Sequence, residues 1–161
     1  MLHSIDDHAP VGILVAMLPA ADLGVSAAFY VRLLELELRR EFVANGQVTG
    51  CSLSRADRSY ALNLRLRSTL PGDVDLIGEH PVVWRVADQR ALDRFQEHAE
   101  RLGLNPTRRR HDDAELVCVV DPDGHDVLVG LPVRPWTDFV GYELTSTGYR
   151  QSHHRPRLLS A

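Results

Sequence analysis

Residues 12–38, GILVAMLPAADLGVSAAFYVRLLELEL, decide the fold, because residues 81–104, PVVWRVADQRALDRFQEHAERLGL, repeat their pattern. Each stretch begins with an apolar run of strand length, followed by an aspartate (Asp22 or Asp88) suited to cap a helix. Apolar side chains then recur at helical spacing, which predicts a buried stripe of Val25, Phe29, Leu33 and Leu36 in the first copy and Leu92, Phe95, Ala99 and Leu102 in the second. Each position of the first copy matches a position 66 residues later in the second, as Asp22 matches Asp88. The chain therefore contains an internal duplication.

Three further strands are predicted after each helix. They read LELRREFVA, QVTGCSLS and YALNLRLR in the first half, and TRRRHDD, AELVCVVD and HDVLVGL in the second. The turn Asp121-Pro122-Asp123-Gly124 separates the last two, because proline presets φ and glycine accepts a positive φ. The pattern predicts an α+β fold with two tandem βαβββ modules.

The modules are assigned to residues 12–67 and 81–132 of a single domain. An N-terminal extension (1–11), a linker (68–80) and a C-terminal tail (133–161) complete the chain. One helix covers only one face of a four-stranded sheet, so each module leaves the other face, here called the inner face, to be covered by its twin. The two sheets are expected to form a half-barrel around a central groove that can hold a small molecule.

Composition narrows the class of protein and its partners. The chain has 161 residues and 18.0 kDa, with 44% hydrophobic and 25% charged residues, as expected of one globular domain. It has no apolar run of the roughly 20 residues that span a bilayer, which argues against a membrane protein. A net charge of −4 makes nucleic acid an unexpected partner. Cys51 and Cys118 are the two cysteines, and we expect both to be free in a cytoplasmic protein.

The duplicated pattern resembles a known family. ADLGVSAAFYVRLLELEL, its repeat ADQRALDRFQEHAERLGL and the closing VVDPDGHDVLV are similar to the vicinal oxygen chelate superfamily of glyoxalase I, bleomycin-resistance proteins and extradiol dioxygenases. The resemblance extends over about residues 12–132. It implies the paired-module fold, and it leaves function open, because the superfamily holds metal enzymes, metal-free enzymes and drug binders.

Metal-dependent members of that superfamily are expected to carry ligands on the first and last strand of each module. By this resemblance the positions are Val15, Asn63, Pro81 and Leu128, although a strict separation of 66 residues would give Leu62 in place of Asn63. Val15, Pro81 and Leu128 have no donor atom in their side chains, so we expect no metal and no other cofactor.

One alternative to a metal-free protein stays open. His80 precedes an expected ligand position by one residue, and with His111 and His125 it could form an unusual three-histidine site. A shift of one residue on a strand turns a side chain to the opposite face, however. His80 in the linker and His125 beside a tight turn are interpreted as surface histidines.

Strand alternation assigns residues to the groove. If Leu62, Leu64 and Trp84 lie under the helices, their neighbours face the groove. The predicted ligand-binding residues are then an apolar floor of Val15, Met17, Val83 and Leu128 with polar groups at Asn63, Arg65 and Arg85. The arginines suit a carboxylate, phosphate or enolate oxygen, although arginines at strand ends commonly reach only water.

These observations predict a metal-free protein that binds a small, largely apolar organic molecule, which can carry an anionic or carbonyl group. The purpose would be sequestration, as in resistance, or cofactor-free conversion in natural-product metabolism. Whether the protein is an enzyme stays open, and no catalytic residue is assigned. The alternative is a metal-dependent lyase, isomerase or extradiol-type dioxygenase with displaced ligands. Edge strands and apolar groove rims further predict a homodimer, to which the aromatic tail could contribute.

Overall fold

A computed structural model describes residues 15–57, 59–110, 114–133, 141–145 and 148–153, the last two ranges by their backbone alone. Two βαβββ modules follow one another, which confirms the predicted α+β fold class. The first comprises β1 (Val15–Ala20), α1 (Leu23–Leu33), β2 (Glu37–Ala44), β3 (Gln47–Ser54) and β4 (Ala61–Leu66). The second comprises β5 (Val83–Arg85), α2 (Gln89–Arg101), β6 (Thr107–Arg110), β7 (Ala114–Val120) and β8 (Asp126–Pro132).

Both modules have the same sheet topology. The strand orders are β1-β4-β3-β2 and β5-β8-β7-β6, with the first strand parallel to the last and the other pairs antiparallel. A short 3-10 helix, Arg67–Thr69, follows the first module. In the tail, β9 (Gly141–Thr145) and β10 (Gly148–His153) pair as an antiparallel hairpin. The tail residues Trp136 and Phe139 lie outside the described residues.

The helix ends follow the predicted signals. The Asp22 carboxylate accepts from the Val25 amide at 3.0 Å, and the Asp88 carboxylate accepts from the Ala91 amide at 2.8 Å. These bonds satisfy N–H groups that the first turn of a helix leaves without partners. Gly103 follows α2 with a φ of 76°, the left-handed conformation in which many helices end.

The buried face of α1 differs from the predicted stripe. Val25 is 53% exposed, whereas Ser26, Tyr30 and Leu33 are buried. The polar groups on this face are satisfied from the second module, since Ser26 donates to Asp123 at 2.6 Å and Tyr30 to Asp121 at 2.7 Å. Leu33 and Leu36 of the predicted stripe are buried, but the buried face also includes two polar positions that apolar spacing alone does not predict.

The two modules share a hydrophobic core on the helix side of their sheets. Leu62 and Leu64 of β4 are at most 1% exposed, and they belong to the same cluster as Val119 and Val127 of the second sheet and Ala99 of α2. The leucines thus lie under the helices, as predicted. The inner faces are open in part, since Val15, Met17 and Val83 are 40%, 54% and 53% exposed, whereas Leu128 on the second sheet is 5% exposed. The two modules therefore pack together on the helix side, and part of the inner faces is left exposed, as a groove between them requires.

Among the described residues, neither helix is long and apolar enough to cross a bilayer.

Candidate functional site

Four of the predicted ligand-binding residues lie together on the inner face of the first sheet. In the parallel pair of β1 and β4, Met17 is opposite Asn63, and the next inner pair places Pro19 opposite Arg65. Val15 belongs to the same face, two residues before Met17. The alternation of the strands therefore brings two apolar and two polar side chains to one surface, as predicted.

Arg65 occupies a partly enclosed place on this face. Its guanidinium carbon lies 5.7 Å from the centroid of the Phe42 ring, within the range of a cation–π contact. Its Nε is buried and has no hydrogen-bond partner among the described residues. Gly50 is the register partner of Arg65 on β3, and a Cβ there would lie 2.8 Å from Arg65 Cδ. A glycine at position 50 therefore leaves the space that the arginine side chain fills.

The other three predicted residues belong to the second sheet. Val83 is opposite Leu128, and Arg85 is opposite Gly130. Leu128 is only 5% exposed, so its side chain is buried and offers little surface to a ligand. Arg85 is at the end of the three-residue strand β5 and is exposed.

A pocket of about 450 Å³ joins parts of both modules. It brings Val15 together with Val83 and Arg85, between the N-terminal half of β1 and strand β5. Tyr60 and Trp84, whose ring centroids are 4.8 Å apart, also line it. Met17, Asn63, Arg65 and Leu128 do not line this pocket. The predicted residues thus form two neighbouring groups: one around Arg65 and one around Arg85.

The four positions at which the resemblance implies metal ligands do not fit a metal ion. Register supports the choice of Asn63, since Met17 and Val83, 66 residues apart, pair with Asn63 and Leu128 respectively. Of the four residues only Asn63 offers a side-chain donor atom, and one amide is a poor site. Within the described ranges, no three His, Cys, Asp or Glu side chains come close enough to share an ion.

The histidines of the alternative three-histidine site differ in environment. His80 is exposed, and His111 lies outside the described residues. His125 is 1% exposed, so the interpretation of it as a surface histidine is wrong. The reason is its hydrogen bonding, since His125 Nδ1 lies 2.9 Å from Asp121 Oδ2. Its Nε2 is buried and has no partner among the described residues.

Sequence reasoning missed the buried network to which His125 belongs. The Asp121 carboxylate accepts hydrogen bonds from the Tyr30 hydroxyl at 2.7 Å and from the backbone N–H groups of Asp123 and His125 at 2.9 and 2.8 Å. Burial, together with the Asp121 charge, raises the pKa of Tyr30 far above its ordinary value. Aspartate at the first position of a tight turn was a visible signal, but its partner 91 residues away was not.

Both cysteines are buried and free, which agrees with their interpretation as small core residues. Burial raises the pKa of the Cys51 thiol and of the Cys118 thiol. A raised pKa lowers the fraction of reactive thiolate, so neither residue has the character of a nucleophile.

Comparisons with known proteins agree with this fold. Three solved structures with similar folds are a lactoylglutathione lyase from Agrobacterium tumefaciens, the antibiotic binding protein TnmS3 from a Streptomyces species and TioX from a Micromonospora species. Their sequence identities to this chain are 22%, 16% and 19%, and their TM-scores are 0.62, 0.61 and 0.55. The matches cover 76%, 77% and 76% of this chain and 94%, 98% and 99% of theirs.

No curated protein sequence matches the chain. The family model described as the glyoxalase/bleomycin resistance protein/dioxygenase superfamily matches residues 12–129, which include the strands and helices of both modules from β1 onward into β8. At the identities above, the solved structures establish the fold alone, whereas the family model covers most of the chain. The chain therefore belongs to the glyoxalase/bleomycin resistance protein/dioxygenase superfamily.

Proposed function

We propose that this protein is a metal-free member of its superfamily that binds a small, largely apolar organic molecule with an anionic or carbonyl oxygen. The binding surface is the inner face of the first sheet, extended by the pocket that contains Val83 and Arg85. The observation that carries the proposal is the buried Nε of Arg65, which has no hydrogen-bond partner among the described residues.

The physical argument concerns what Arg65 needs. Guanidinium donors that are withdrawn from water without an acceptor carry a desolvation cost of about 1–3 kcal/mol or more. The surroundings are apolar on one side, where Phe42 lies under the guanidinium and Met17 is exposed two positions away across the sheet. A ligand with a carboxylate, phenolate or carbonyl oxygen would satisfy the donors while its apolar part covers these side chains.

The absence of a metal is supported by the four positions at which the family would place metal ligands, because they offer a single side-chain donor group, the amide of Asn63. The four residues are Val15, Asn63, Pro81 and Leu128. The test is elemental analysis of tag-free protein purified without chelator, for which we expect no stoichiometric transition metal. About one Zn, Fe, Mn or Ni per chain would contradict the proposal, and its loss in His80→Ala or His111→Ala would identify a displaced site.

Sequestration and cofactor-free conversion both fit a site of this kind. None of the seven predicted ligand-binding residues is an acid or a histidine, so the site lacks an evident general acid or base. This favours binding over catalysis. Antibiotic binding by the structurally similar TnmS3 makes a natural product the first class of ligand to test.

The binding test is a thermal-shift screen of aromatic and polyketide-like acids. A compound at 100 times its Kd stabilises the fold by about 2.7 kcal/mol, which such a screen detects. For a compound found this way, Arg65→Ala should raise the Kd at least about tenfold, and Arg65→Lys should restore it only partly, because an ammonium lacks the planar fork.

The control is Arg90→Ala, which removes the same charge from an exposed position on α2. Equal Kd values for the wild type and Arg65→Ala would show that the inner face binds by shape and apolar contact alone.

We propose in addition that the protein is a homodimer. Val15, Met17 and Val83 leave an apolar inner surface half exposed, and β2 is an edge strand of eight residues, the first five of them exposed, that a partner could cover. Light scattering at micromolar concentration should give twice the chain mass of 18.0 kDa. A monomeric mass that does not change on removal of residues 135–161 would contradict this proposal.

A further inference from the structure

A second cleft extends to the helix side of the molecule and adjoins the pocket described above, with which it shares Arg55, Tyr60, Trp84 and Arg85. Its volume is about 430 Å³, within the range of small-molecule sites. The walls are α2, the C-terminal end of α1 and β5, together with Arg55 and Tyr60 from the connection between β3 and β4. We refer to it as the helix-side cleft.

Arginine dominates the charge of the helix-side cleft. Four arginines line it, against the one carboxylate of Glu35. They are Arg55, Arg85, Arg94 and Arg101. This positive concentration stands out in a chain whose net charge is −4.

Most of these arginines lack a carboxylate of their own. Among the described residues, Arg55 pairs with Asp57 at 3.5 Å, whereas Arg85, Arg94 and Arg101 have no carboxylate oxygen within 4.0 Å. Arg108 on the neighbouring strand shows the opposite case, since Asp93 and Glu115 each lie 2.8 Å from its guanidinium. Among the described residues, the guanidinium groups of Arg85, Arg94 and Arg101 therefore have no carboxylate that neutralises them, unlike that of Arg108.

The periodicity of α2 explains how the charges converge. Ala91, Arg94, His98 and Arg101 recur every three or four residues and so share one face of the helix. Leu92 and Ala99, on an adjoining face, are 0% exposed and anchor the helix in the core. One side of α2 thus holds the helix in place while the next presents guanidinium groups to the cleft.

The cleft also has an aromatic surface. Trp84, Phe95 and Tyr60 line it, and the Tyr60 and Trp84 rings are 4.8 Å apart at a tilt of 43°. All three are half-buried. Flat apolar surfaces beside several guanidinium groups match a planar molecule that carries negative charge, because arginine binds carboxylates and phosphates while the rings cover the apolar part.

His98 links the two helices that form the walls. Its Nε2 lies 2.8 Å from the carbonyl oxygen of Arg32 at the end of α1. Because a carbonyl only accepts, Nε2 is the donor, and this bond joins α2 to α1 beside the cleft. The bond holds the basic face of α2 next to the aromatic residues.

We propose that the helix-side cleft is a second binding site, for a small aromatic molecule with two negative charges, such as a dicarboxylate or an aryl phosphate. This inference goes beyond the proposed function, which concerns the inner faces. Arg55 and Arg85 line both pockets, so they cannot separate the two sites, whereas Arg94 and Arg101 line only the helix-side cleft.

The test is calorimetric titration of the full chain with phthalate, an aromatic dianion. The neutral dimethyl ester of phthalate and inorganic phosphate are the comparison probes, because the first lacks the charge and the second lacks the ring. We expect phthalate to bind more tightly than either. No binding of phthalate, or equal binding of the ester or of phosphate, would overturn the proposal.

Variants assign the binding to the cleft. The double variant Arg94→Gln/Arg101→Gln should weaken phthalate binding at least about tenfold. The control double variant Arg90→Gln/Arg110→Gln changes the net charge equally at exposed positions outside the cleft and should bind as the wild type does. If both double variants weaken phthalate binding equally, the effect is one of overall charge, and the proposed site is rejected.

Two further measurements test where phthalate binds: Arg65→Gln tests the inner face, and Trp84, which lines both pockets, reports binding in either of them. Arg65→Gln should leave phthalate binding unchanged, and a loss of binding there would place the anion at the inner face instead. In a Trp136→Phe background, Trp84 is the one tryptophan left of two, so its fluorescence should change on addition of phthalate. Absence of any change while calorimetry reports binding would place the anion outside the cleft.

Discussion

The substitution Tyr30→Phe tests the contact that joins the two modules. The Tyr30 hydroxyl donates to Asp121 Oδ2 at 2.7 Å, and the two residues are 1% and 6% exposed. Phenylalanine keeps the ring and removes this donor, so the buried carboxylate loses one hydrogen bond. The helix, the sheet and the apolar packing of the ring are otherwise unchanged.

The magnitude follows from what Asp121 retains. A hydrogen bond to a charged group contributes about 1.5–3 kcal/mol. His125 Nδ1 and two backbone N–H groups still contact the carboxylate, so we expect the free energy of unfolding to fall by about 2 kcal/mol rather than more. For a chain of this size, each kcal/mol lowers Tm by about 2–4 °C, which gives a decrease of about 4–8 °C.

The pH dependence of stability supplies a second, independent readout. Burial and the Asp121 charge raise the pKa of Tyr30 in the folded state above its ordinary value of 10.0. The unfolded chain therefore loses the Tyr30 proton first, and the associated stability is fully present below pH 10.0 and lost as the pH rises further. Above that pH the wild type should lose about 1.4 kcal/mol per pH unit more than Tyr30→Phe.

Urea denaturation followed by circular dichroism measures both effects. Tyr60→Phe is the matched control, because Tyr60 is half-buried at the pocket wall, and it should change the unfolding free energy by less than about 0.5 kcal/mol. If Tyr30→Phe is as stable as Tyr60→Phe, and its stability falls with pH as steeply as that of the wild type, the contact does not join the modules as argued.

Three more predictions address positions described above. Gly50→Ala should weaken ligand binding at the inner face, because its Cβ would lie 2.8 Å from both Arg65 Cδ and a backbone oxygen; an unchanged Kd would show that Arg65 moves aside without cost. Cys51 and Cys118 should react with a thiol reagent only in denaturant, because both are buried with raised thiol pKa values; rapid labelling of the native protein would contradict this. Val25→Ser should change the unfolding free energy by less than about 0.5 kcal/mol, and a loss above 1 kcal/mol would restore Val25 to the core.

Local signals predicted the modules well. Asp22 and Asp88 cap their helices, Gly103 ends α2, and Leu62 and Leu64 lie under the helices. Each of these depends on neighbours within a few residues or on the two-residue alternation of a strand. Such features depend on short stretches of sequence, and the duplication provided the aspartate cap twice.

Features that depend on contacts between modules were not predictable in this way. Tyr30 was not recognised as a partner of Asp121, because the two residues belong to different modules and are 91 residues apart. His125 contacts Asp121 within its own module, but the burial of that turn was not visible from its local sequence. The face of α1 was misjudged for the same reason, since a count of apolar residues favours Val25 over Ser26. The relative exposure of Leu128 and Val83, neighbours in register, likewise reflects packing that strand alternation does not describe.

The hydrogen bonds that connect α1 to the turn near residue 121 also order the events of folding. Ser26 and Tyr30 belong to the first module, but their acceptors are 97 and 91 residues further along the chain. During synthesis, the Ser26 and Tyr30 hydroxyls therefore cannot reach their acceptors until nearly the whole second module has been made. Contacts of such high sequence separation form late and slow the folding of a domain. The first copy can therefore complete its buried hydrogen bonds only after the acceptors in the second copy have been made.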